Sequence, residues 1–340
     1  MSDDFHSVKK IVYINSVLGN FIRAKRPEEA ALFDYFGYRF IKKKCDLLYT
    51  KPGSWRIRLR GCLGMDVGVG WDLFLRLRRG AKVLYIMSMP DVCPLIPWVK
   101  KFFPETRIIA WTWTVWSVRH ELKKLRHCDH IICLTEGALY ECRRKGLGEK
   151  AIHLLEGLDA KAFNQTEFRH EFEVGLVGGS ERDFPLAVEA LKRLRPKAAC
   201  SLGAAVGLKR VCGFEDGLIE ISRTVTGADV MSLTKRCKLI WIPLIPQEHE
   251  PVGYSNIQEA LLCGTAVVIA DSSVLPKSVL SLPGVYLYQA GSVDSLVKTT
   301  AHALRELNEK EHFRIQEMSS RLLDGQALFM FLKEQSGGCL

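Results

Sequence analysis

The clearest indication of the fold is the segment LIWIPLIPQEHEPVGYSNIQEALLCGTAVVIA, residues 239–270. It begins with an apolar run typical of a buried strand, passes through an acidic loop containing Gly253, and continues as a short helical stretch. Cys263-Gly264 ends that stretch, and a second apolar run predicts another buried strand. Strand, loop, helix and strand in this order predict two parallel strands joined by a crossover helix, the repeating unit of a doubly wound α/β sheet.

The loop Glu248–Ser255 of this segment is a candidate ligand site. In an open α/β sheet, ligands bind beyond the carboxyl ends of the strands, where this loop is expected. A helix that begins near Tyr254–Asn256 would offer backbone N–H groups to a phosphate. Glu259, one turn further, is placed to accept hydrogen bonds from sugar hydroxyls. The alternative is that the acidic loop only caps the helix.

The same alternation of strands and helices extends along the chain in two series, separated by a polar stretch near residues 165–170. A length of 340 residues also favours two domains. We therefore predict an N-terminal domain over residues 1–167 and a C-terminal domain over 168–315. Residues 316–340 are predicted as a helix that packs back towards the N-terminal domain, followed by a tail.

Apolar runs and helical periodicity predict the elements of both series. The expected strands are Lys10–Asn15, Arg39–Ile41, Val83–Met87, Arg107–Trp111, His130–Leu134, Glu173–Val177, Ala199–Leu202, Lys209–Cys212, Leu239–Pro243, Ala266–Ala270 and Gly284–Tyr288. The expected helices are Pro27–Phe36, Trp71–Leu77, Leu95–Phe103, Val118–Leu125, Glu136–Lys145, Phe184–Leu194, Ser255–Cys263, Val293–Leu307 and Glu311–Phe331. Asp46–Gly70, rich in Gly and Arg, is expected to be irregular.

Composition limits the class of protein. With 47% hydrophobic and 25% charged residues, the chain is not expected to be disordered, collagen-like or a coiled coil. The eleven cysteines are scattered, without a CxxC pair or zinc-type spacing, as is typical of a reducing cytoplasm. The charged N-terminus does not resemble a signal peptide, and no apolar run is long enough to span a bilayer. These features predict a soluble, cytoplasmic protein.

The positive charge is concentrated in the first half of the chain. Residues up to Gln165 contain 29 Lys and Arg against 17 Asp and Glu, a net charge of +12, whereas the remainder is at −2. Several basic clusters alternate with large apolar residues, as in Trp98–Phe103, a pattern suited to anionic lipid headgroups at the inner face of a membrane. The alternative is a set of ordinary solvated surfaces. No motif for nucleic-acid binding is present in the sequence.

Residues 225–270 resemble the C-terminal domain of GT-B glycosyltransferases of the GT4-like group. The resemblance is carried by Gly253, Glu259-Ala260 and Cys263-Gly264-Thr265-Ala266-Val267. Weaker matches are Glu156-Gly157-Leu158-Asp159 at the expected domain junction and Val174–Ser180 at the first strand of the second domain. The resemblance implies a GT-B fold of two facing Rossmann-like domains with parallel sheets. It also implies transfer of a sugar, with retention, from a nucleotide-diphosphate sugar to a hydroxyl acceptor.

The resemblance assigns donor-binding roles to residues of the second half. They are Gly179, Arg182, Thr226, Gly253, Tyr254, Ser255, Asn256 and Glu259. Arg182 is expected at the donor diphosphate, alone or with Lys209 or Arg210, since the family lysine is replaced by Ala187. Glu259 is assigned to the ribose. Glu250 is assigned to the sugar as a catalytic residue, displaced by one position from the family acid; the alternative is that this acid is lost.

The first half is expected to hold the acceptor. Gly19 and Asn20 are candidates for its glycine-containing loop, and Trp113 for stacking on a sugar ring, although Trp111 and Trp113 on one strand face favour packing in a core. His120 replaces the usual family histidine as a catalytic candidate; an ordinary surface or core histidine is the alternative.

No metal or cofactor is expected, because the sequence contains no DxD motif and helix amides with Arg182 would neutralise the diphosphate. The expected partners are a nucleotide sugar, UDP-linked rather than GDP-linked, and a glycan or lipid-linked acceptor of polysaccharide or glycoconjugate biosynthesis. The alternatives are a nucleotide-sugar epimerase of the same fold and a non-catalytic membrane-associated scaffold. A nicotinamide dehydrogenase is disfavoured, since no GxGxxG follows the first strand.

Overall fold

The computed structural model forms two compact units, Met1–Gly157 with Gly325–Leu340, and Leu158–Asp324. It describes residues 11–14, 45–49, 67–87, 93–155, 158, 160–164, 167–179, 181–212, 219–221, 227–246, 252–271, 274–323 and 325–335. The domain boundaries at 167 and 315 stay a prediction. Among the described residues, no helix is both long enough and apolar enough to cross a bilayer.

The first unit is built on a parallel sheet of six strands in the order β2-β1-β3-β4-β5-β6. The strands are β1 (Ile11–Ile14), β2 (Cys45–Leu48), β3 (Val83–Ile86), β4 (Arg107–Thr112), β5 (His130–Cys133) and β6 (Ala151–His153). β1 and β3 are buried along their whole length, as expected for strands covered on both faces.

Four helices of this unit share one hydrophobic core with the sheet. They are α1 (Val67–Arg78), α2 (Ile96–Phe102), α3 (Val115–Leu125) and α4 (Glu136–Arg144). The side-chain oxygens of Thr114 and Thr135 accept hydrogen bonds from the backbone N–H groups of Ser117 and Ala138, and so cap α3 and α4.

The second unit contains a parallel sheet in the order β12-β11-β10-β7-β8-β9. Its strands are β7 (Phe172–Leu176), β8 (Ala198–Cys200), β9 (Glu220–Ile221), β10 (Cys237–Ile242), β11 (Ala266–Ala270) and β12 (Val285–Tyr288). Its helices are α5 (Ala160–Phe163), α6 (Phe184–Leu194), α7 (Leu202–Cys212), α8 (Gly227–Lys235), α9 (Tyr254–Leu262), α10 (Lys277–Leu280), α11 (Val293–Glu306) and α12 (Glu309–Leu323). β7 and β10 are neighbours in this sheet. The strands that follow β7 extend the sheet to one edge, and those that follow β10 extend it to the other, so the strand order reverses between β7 and β10.

The last helix, α13 (Gln326–Gln335), belongs to the first unit. The ring of Phe331 packs edge-on against His130, and the Arg107 guanidinium donates to the Gln335 carbonyl at 2.8 Å. The prediction of one helix over Glu311–Phe331 is wrong, because α12 ends at Leu323 and a separate helix, α13, begins at Gln326.

Two further predictions are wrong. Lys209–Cys212 is the end of helix α7, not a strand. Ser201 accepts a hydrogen bond from the Ala204 N–H at this helix start, and Ala204 and Leu208 are buried one turn apart. The stretch Asp46–Gly70 was expected to be irregular, but its described ends belong to β2 and α1. The elements predicted at Arg39–Ile41 and Pro27–Phe36 lie outside the described residues.

Seven described cysteines are buried thiols that are not joined in disulfides. Burial raises the pKa of the Cys200, Cys237 and Cys263 thiols to about 12, because a thiolate is poorly solvated in an apolar core. These cysteines therefore serve as small core residues and are protonated at neutral pH.

Glu141 joins helices α3 and α4 through a buried carboxylate. Arg144 donates to it at 2.6 Å and Arg119 at 3.0 Å, while its side chain is only 3% exposed. The hydrogen bond from Arg144, helped by Arg119, lowers the pKa of Glu141 from 4.5 to about 2. Because the pKa is depressed in the folded chain, this contribution to stability is present above about pH 4.5 and is lost as the pH falls towards 2.

Replacing Glu141 by Gln should lower the free energy of unfolding at pH 7 by about 1–2 kcal/mol, after allowance for screening at the half-exposed arginines. Urea unfolding should show this difference shrinking as the pH is lowered below 4.5. Glu317→Gln is the matched control, since Glu317 also bonds an arginine at 2.6 Å but is 64% exposed. Equal losses in the two variants at pH 7 would contradict the buried role of Glu141.

Candidate functional site

The loops that follow β7 and β10 run side by side at the carboxyl edge of the second sheet. The Asp183 N–H donates to the Pro243 carbonyl at 2.6 Å, and the Ile245 N–H donates to the Glu181 carbonyl at 3.1 Å. Arg182 and Leu244 form an antiparallel bridge between these two bonds. The strand order reverses at this edge, which is where open α/β sheets bind their ligands.

Gly253 starts helix α9 at the same edge. Its φ of +87° is a left-handed conformation that favours glycine, and an added Cβ would approach the Ile242 side chain to 2.9 Å. The N-cap residue Gly253 has no side chain to cap α9, whereas Asp183 caps α6 and Ser201 accepts the Ala204 N–H of α7. The first turn of α9 therefore points backbone N–H groups and the positive end of its dipole at the loop region.

Arg182 lies beside the start of α9 with only 6% of its surface exposed. Its Nη2 donates to Oδ1 of Asn256 in the first turn of that helix, at 2.8 Å. Burial lowers the pKa of Arg182 to about 10, opposed by the neighbouring phenol of Tyr288, so the guanidinium remains charged at neutral pH. A buried cation beside a helix N-terminus creates a local positive potential suited to an anionic ligand.

Gly178 is a part of the site that the sequence analysis did not select. Its φ is +76°, and an added Cβ would lie 2.8 Å from Nη2 of Arg182 and 3.1 Å from Oδ1 of Asn256. A side chain at this position would therefore displace the hydrogen bond between Arg182 and Asn256. The signal was present in the sequence as Gly178-Gly179-Ser180 after a strand, but only Gly179 was assigned.

Glu259 lies one turn after Asn256 on α9 and is half-buried. The Asn256 amide donates to its Oε2 at 3.5 Å, so Arg182, Asn256 and Glu259 follow one another in a polar row. The row presents a cation, an amide and a carboxylate in sequence. A phosphate group and a pair of hydroxyls are the ligand groups that these side chains can bind.

The remaining donor candidates of the second unit have different surroundings. Tyr254 is buried, and its phenol oxygen accepts from the Gln258 amide at 2.9 Å, so this side chain packs inside the unit. Ser255 is half-buried in the first turn of α9. Gly179 passes close to helix α7, since an added Cβ would lie 3.0 Å from the Gly203 carbonyl oxygen.

The candidates of the first unit do not form a polar cluster of this kind within the described residues. His120 is exposed on α3; its ring stacks on Trp116 at 3.9 Å and its Nδ1 lies 2.9 Å from the Trp116 carbonyl. Trp113 follows β4 and is half-buried, and its carbonyl accepts from the Thr135 hydroxyl at 2.9 Å. Glu250, Thr226, Gly19 and Asn20 lie outside the described residues.

No protein-family model matches the sequence, and no curated protein matches it significantly. Solved structures do match. Anabaena HepE in complex with UDP has 15% identity and a TM-score of 0.65, over 96% of this chain and 99% of HepE. A Rickettsia africae glycosyltransferase has 9% identity and a TM-score of 0.65, over 97% and 98%. Sucrose-phosphate synthase from Thermosynechococcus elongatus has 13% identity and a TM-score of 0.67, over 95% and 97%.

These similarities establish the fold. The neighbours are GT-B glycosyltransferases, and the present chain has the same construction of two parallel-stranded α/β units. The prediction of a GT-B fold, with two doubly wound parallel sheets, is confirmed.

The space that Gly178 leaves for Arg182 can be tested with two glycines of nearly equal φ. Gly178→Ala should lower the free energy of unfolding by about 2 kcal/mol or more, because it adds the loss of a charged hydrogen bond to the cost of a left-handed alanine. Gly291 has a φ of +75° and no atom within 4 Å of an added Cβ, so Gly291→Ala should cost only about 1 kcal/mol. Urea unfolding of both variants measures the difference, and equal losses would show that the Gly178 Cβ is accommodated without disturbing Arg182.

Proposed function

We propose that the protein is a glycosyltransferase that moves a sugar from a nucleotide-diphosphate sugar to a hydroxyl group, with retention of the anomeric configuration. The observation that carries this proposal is the row of Arg182, Asn256 and Glu259 beside the start of α9, at the edge where the second sheet reverses its strand order. The GT-B fold supports it.

The diphosphate is proposed to bind between Arg182 and the first turn of α9. Arg182 is buried and charged, and α9 begins at Gly253, which has no side chain to cap it, so both contribute positive potential where water is partly excluded. During transfer, the bond from the anomeric carbon to the diphosphate oxygen breaks and negative charge grows on that oxygen. Groups already oriented towards this charge stabilise the transition state without reorganisation.

Glu259 is proposed to accept hydrogen bonds from the two ribose hydroxyls. Its carboxylate lies one helical turn beyond Asn256, and so beyond the proposed diphosphate position. By resemblance to the GT4-like group, Thr226 is proposed near the base, and Gly179 near the nucleotide. UDP is favoured over GDP, in keeping with the UDP and UDP-glucose complexes of HepE.

Transfer requires a second substrate, whose hydroxyl forms the new bond to the anomeric carbon and gives up its proton to the departing diphosphate. Glu250 is proposed to bind the donor sugar, while His120, Trp113, Gly19 and Asn20 are proposed on the acceptor side. We propose a glycan or lipid-linked acceptor of polysaccharide or glycoconjugate biosynthesis. The basic first half further favours a cytoplasmic enzyme working at the inner face of an anionic membrane.

Binding of UDP is the first expected result. At a hundredfold excess over its Kd, UDP should raise the melting temperature by about 5 °C or more, because a ligand bound only to the folded chain stabilises it. Glu259→Ala should abolish most of this shift and the transfer of sugar from UDP-glucose, while Glu189→Ala, an exposed glutamate of the same unit, should leave both unchanged. A full UDP shift in Glu259→Ala would remove this residue from the donor site.

Catalysis without a bound metal is the second expected result. Because Arg182 and α9 supply the positive potential at the diphosphate, transfer should retain most of its rate in excess EDTA. The measurement is product formation with and without EDTA, with NMR of the product to establish the anomeric configuration. A loss of activity that Mg²⁺ or Mn²⁺ restores would contradict the metal-free proposal, and an inverted product would contradict retention.

A further inference from the structure

Helix α1 carries apolar side chains on its solvent side as well as on its core side. Val69, Leu73 and Leu77 are buried in the core. On the opposite side, Trp71 is 61% and Phe74 is 38% exposed, and their rings stack at 5.8 Å. A surface helix of a soluble domain normally carries polar residues on that side.

Helix α2 repeats the arrangement. Ile96 and Val99 are buried, whereas Trp98 and Phe102 are 58% and 59% exposed. The two exposed rings are one turn apart and stack at 5.7 Å. Both pairs therefore project large aromatic surfaces into solvent.

The two helices are neighbours in the first unit. Phe74 packs edge-on against Phe103 at 5.9 Å, at the end of α2. At Gly70 of α1, an added Cβ would approach the Leu95 side chain to 2.7 Å, just before α2 begins. We call Trp71, Phe74, Trp98 and Phe102 the aromatic face.

Basic side chains border the aromatic face. The Arg78 guanidinium lies 5.9 Å from the centre of the Phe74 ring, and the Lys101 ammonium lies 5.8 Å from that of Phe102. Residues 67–87 and 93–107 together contain seven Lys and Arg against two acidic residues, Asp72 and Glu105. Arg78 and Lys101 are exposed, so their charges are available to an external anion.

We propose that the aromatic face docks onto an anionic lipid bilayer. Tryptophan beside lysine and arginine is the composition that proteins place at the membrane interface, where rings lie at headgroup depth and cations meet lipid phosphates. A symmetric contact between two copies is less favourable, because it would bring Arg78 and Lys101 of one copy towards the same cations of the other. This inference deepens the proposed membrane location and rests on it, but it does not depend on donor binding.

Vesicle sedimentation of the full chain tests the proposal. The wild-type protein should bind vesicles of phosphatidylcholine with about 30% phosphatidylglycerol and bind pure phosphatidylcholine much less, with the difference reduced by salt. The double variant Trp71→Ala/Trp98→Ala should bind the anionic vesicles about tenfold or more weakly, because it lacks two rings that the bilayer would bury. Tyr140→Ala is the matched control, since Tyr140 is 69% exposed on α4 of the same unit, and should bind as the wild type does.

Two readouts keep the result interpretable. The melting temperature and the UDP-induced shift of the double variant should equal those of the wild type, because only exposed side chains change. Wild-type binding by the double variant, or no preference for anionic vesicles, would overturn the docking proposal. A dimer of the wild type that the double variant loses, measured by light scattering, would assign the aromatic face to a second copy instead. If the wild-type protein binds anionic vesicles but UDP does not raise its melting temperature, the result would count against the proposed donor site alone.

Discussion

The buried charge of Arg182 is the constraint on which the second unit depends. A guanidinium that is 6% exposed has lost most of its hydration, and one of its N–H groups donates instead to Asn256. Because a poorly hydrated charge interacts strongly with a nearby opposite charge, an anionic ligand beside Arg182 would be strongly attracted. The local backbone is arranged around this charge: the loops after β7 and β10 hold it between them, and α9 adds its own positive end.

The glycines of this edge follow from the same constraint. Gly178 leaves room for Nη2 of Arg182, and Gly253 allows α9 to start directly against the end of β10. In both positions a Cβ would occupy space that the cation or the strand already fills, in addition to requiring a left-handed backbone. The site therefore depends on the left-handed backbone and the absent Cβ of Gly178 and Gly253 as much as on its polar side chains.

Much of this could be predicted from the sequence because the strongest signals are local. The apolar run 266–270 and helix 184–194 were placed with their observed bounds, since burial on both sides of a parallel strand and one-sided burial of a helix leave clear patterns. The strand prediction for Lys209–Cys212 failed because four residues are too few to distinguish a strand from a helix end, and the glycines of α7 obscured its period. The bond between Arg182 and Asn256 joins residues 74 positions apart, and no local pattern encodes which partner a distant side chain will meet.

The uneven charge of the chain separates two kinds of anion recognition. A nucleotide diphosphate is bound in the half whose net charge is −2 under the proposed function, so the average charge of that half cannot provide the attraction. Beyond about 8 Å, salt screens distant charges, and the donor site must carry its own cation at contact distance, as Arg182 does. An anionic bilayer would present many charges over a broad plane, which suits the several exposed Lys and Arg among the described residues of the first half. Under the two proposals, a single ligand is bound by one buried cation and a surface by many exposed cations, and the two kinds of cation lie in different units.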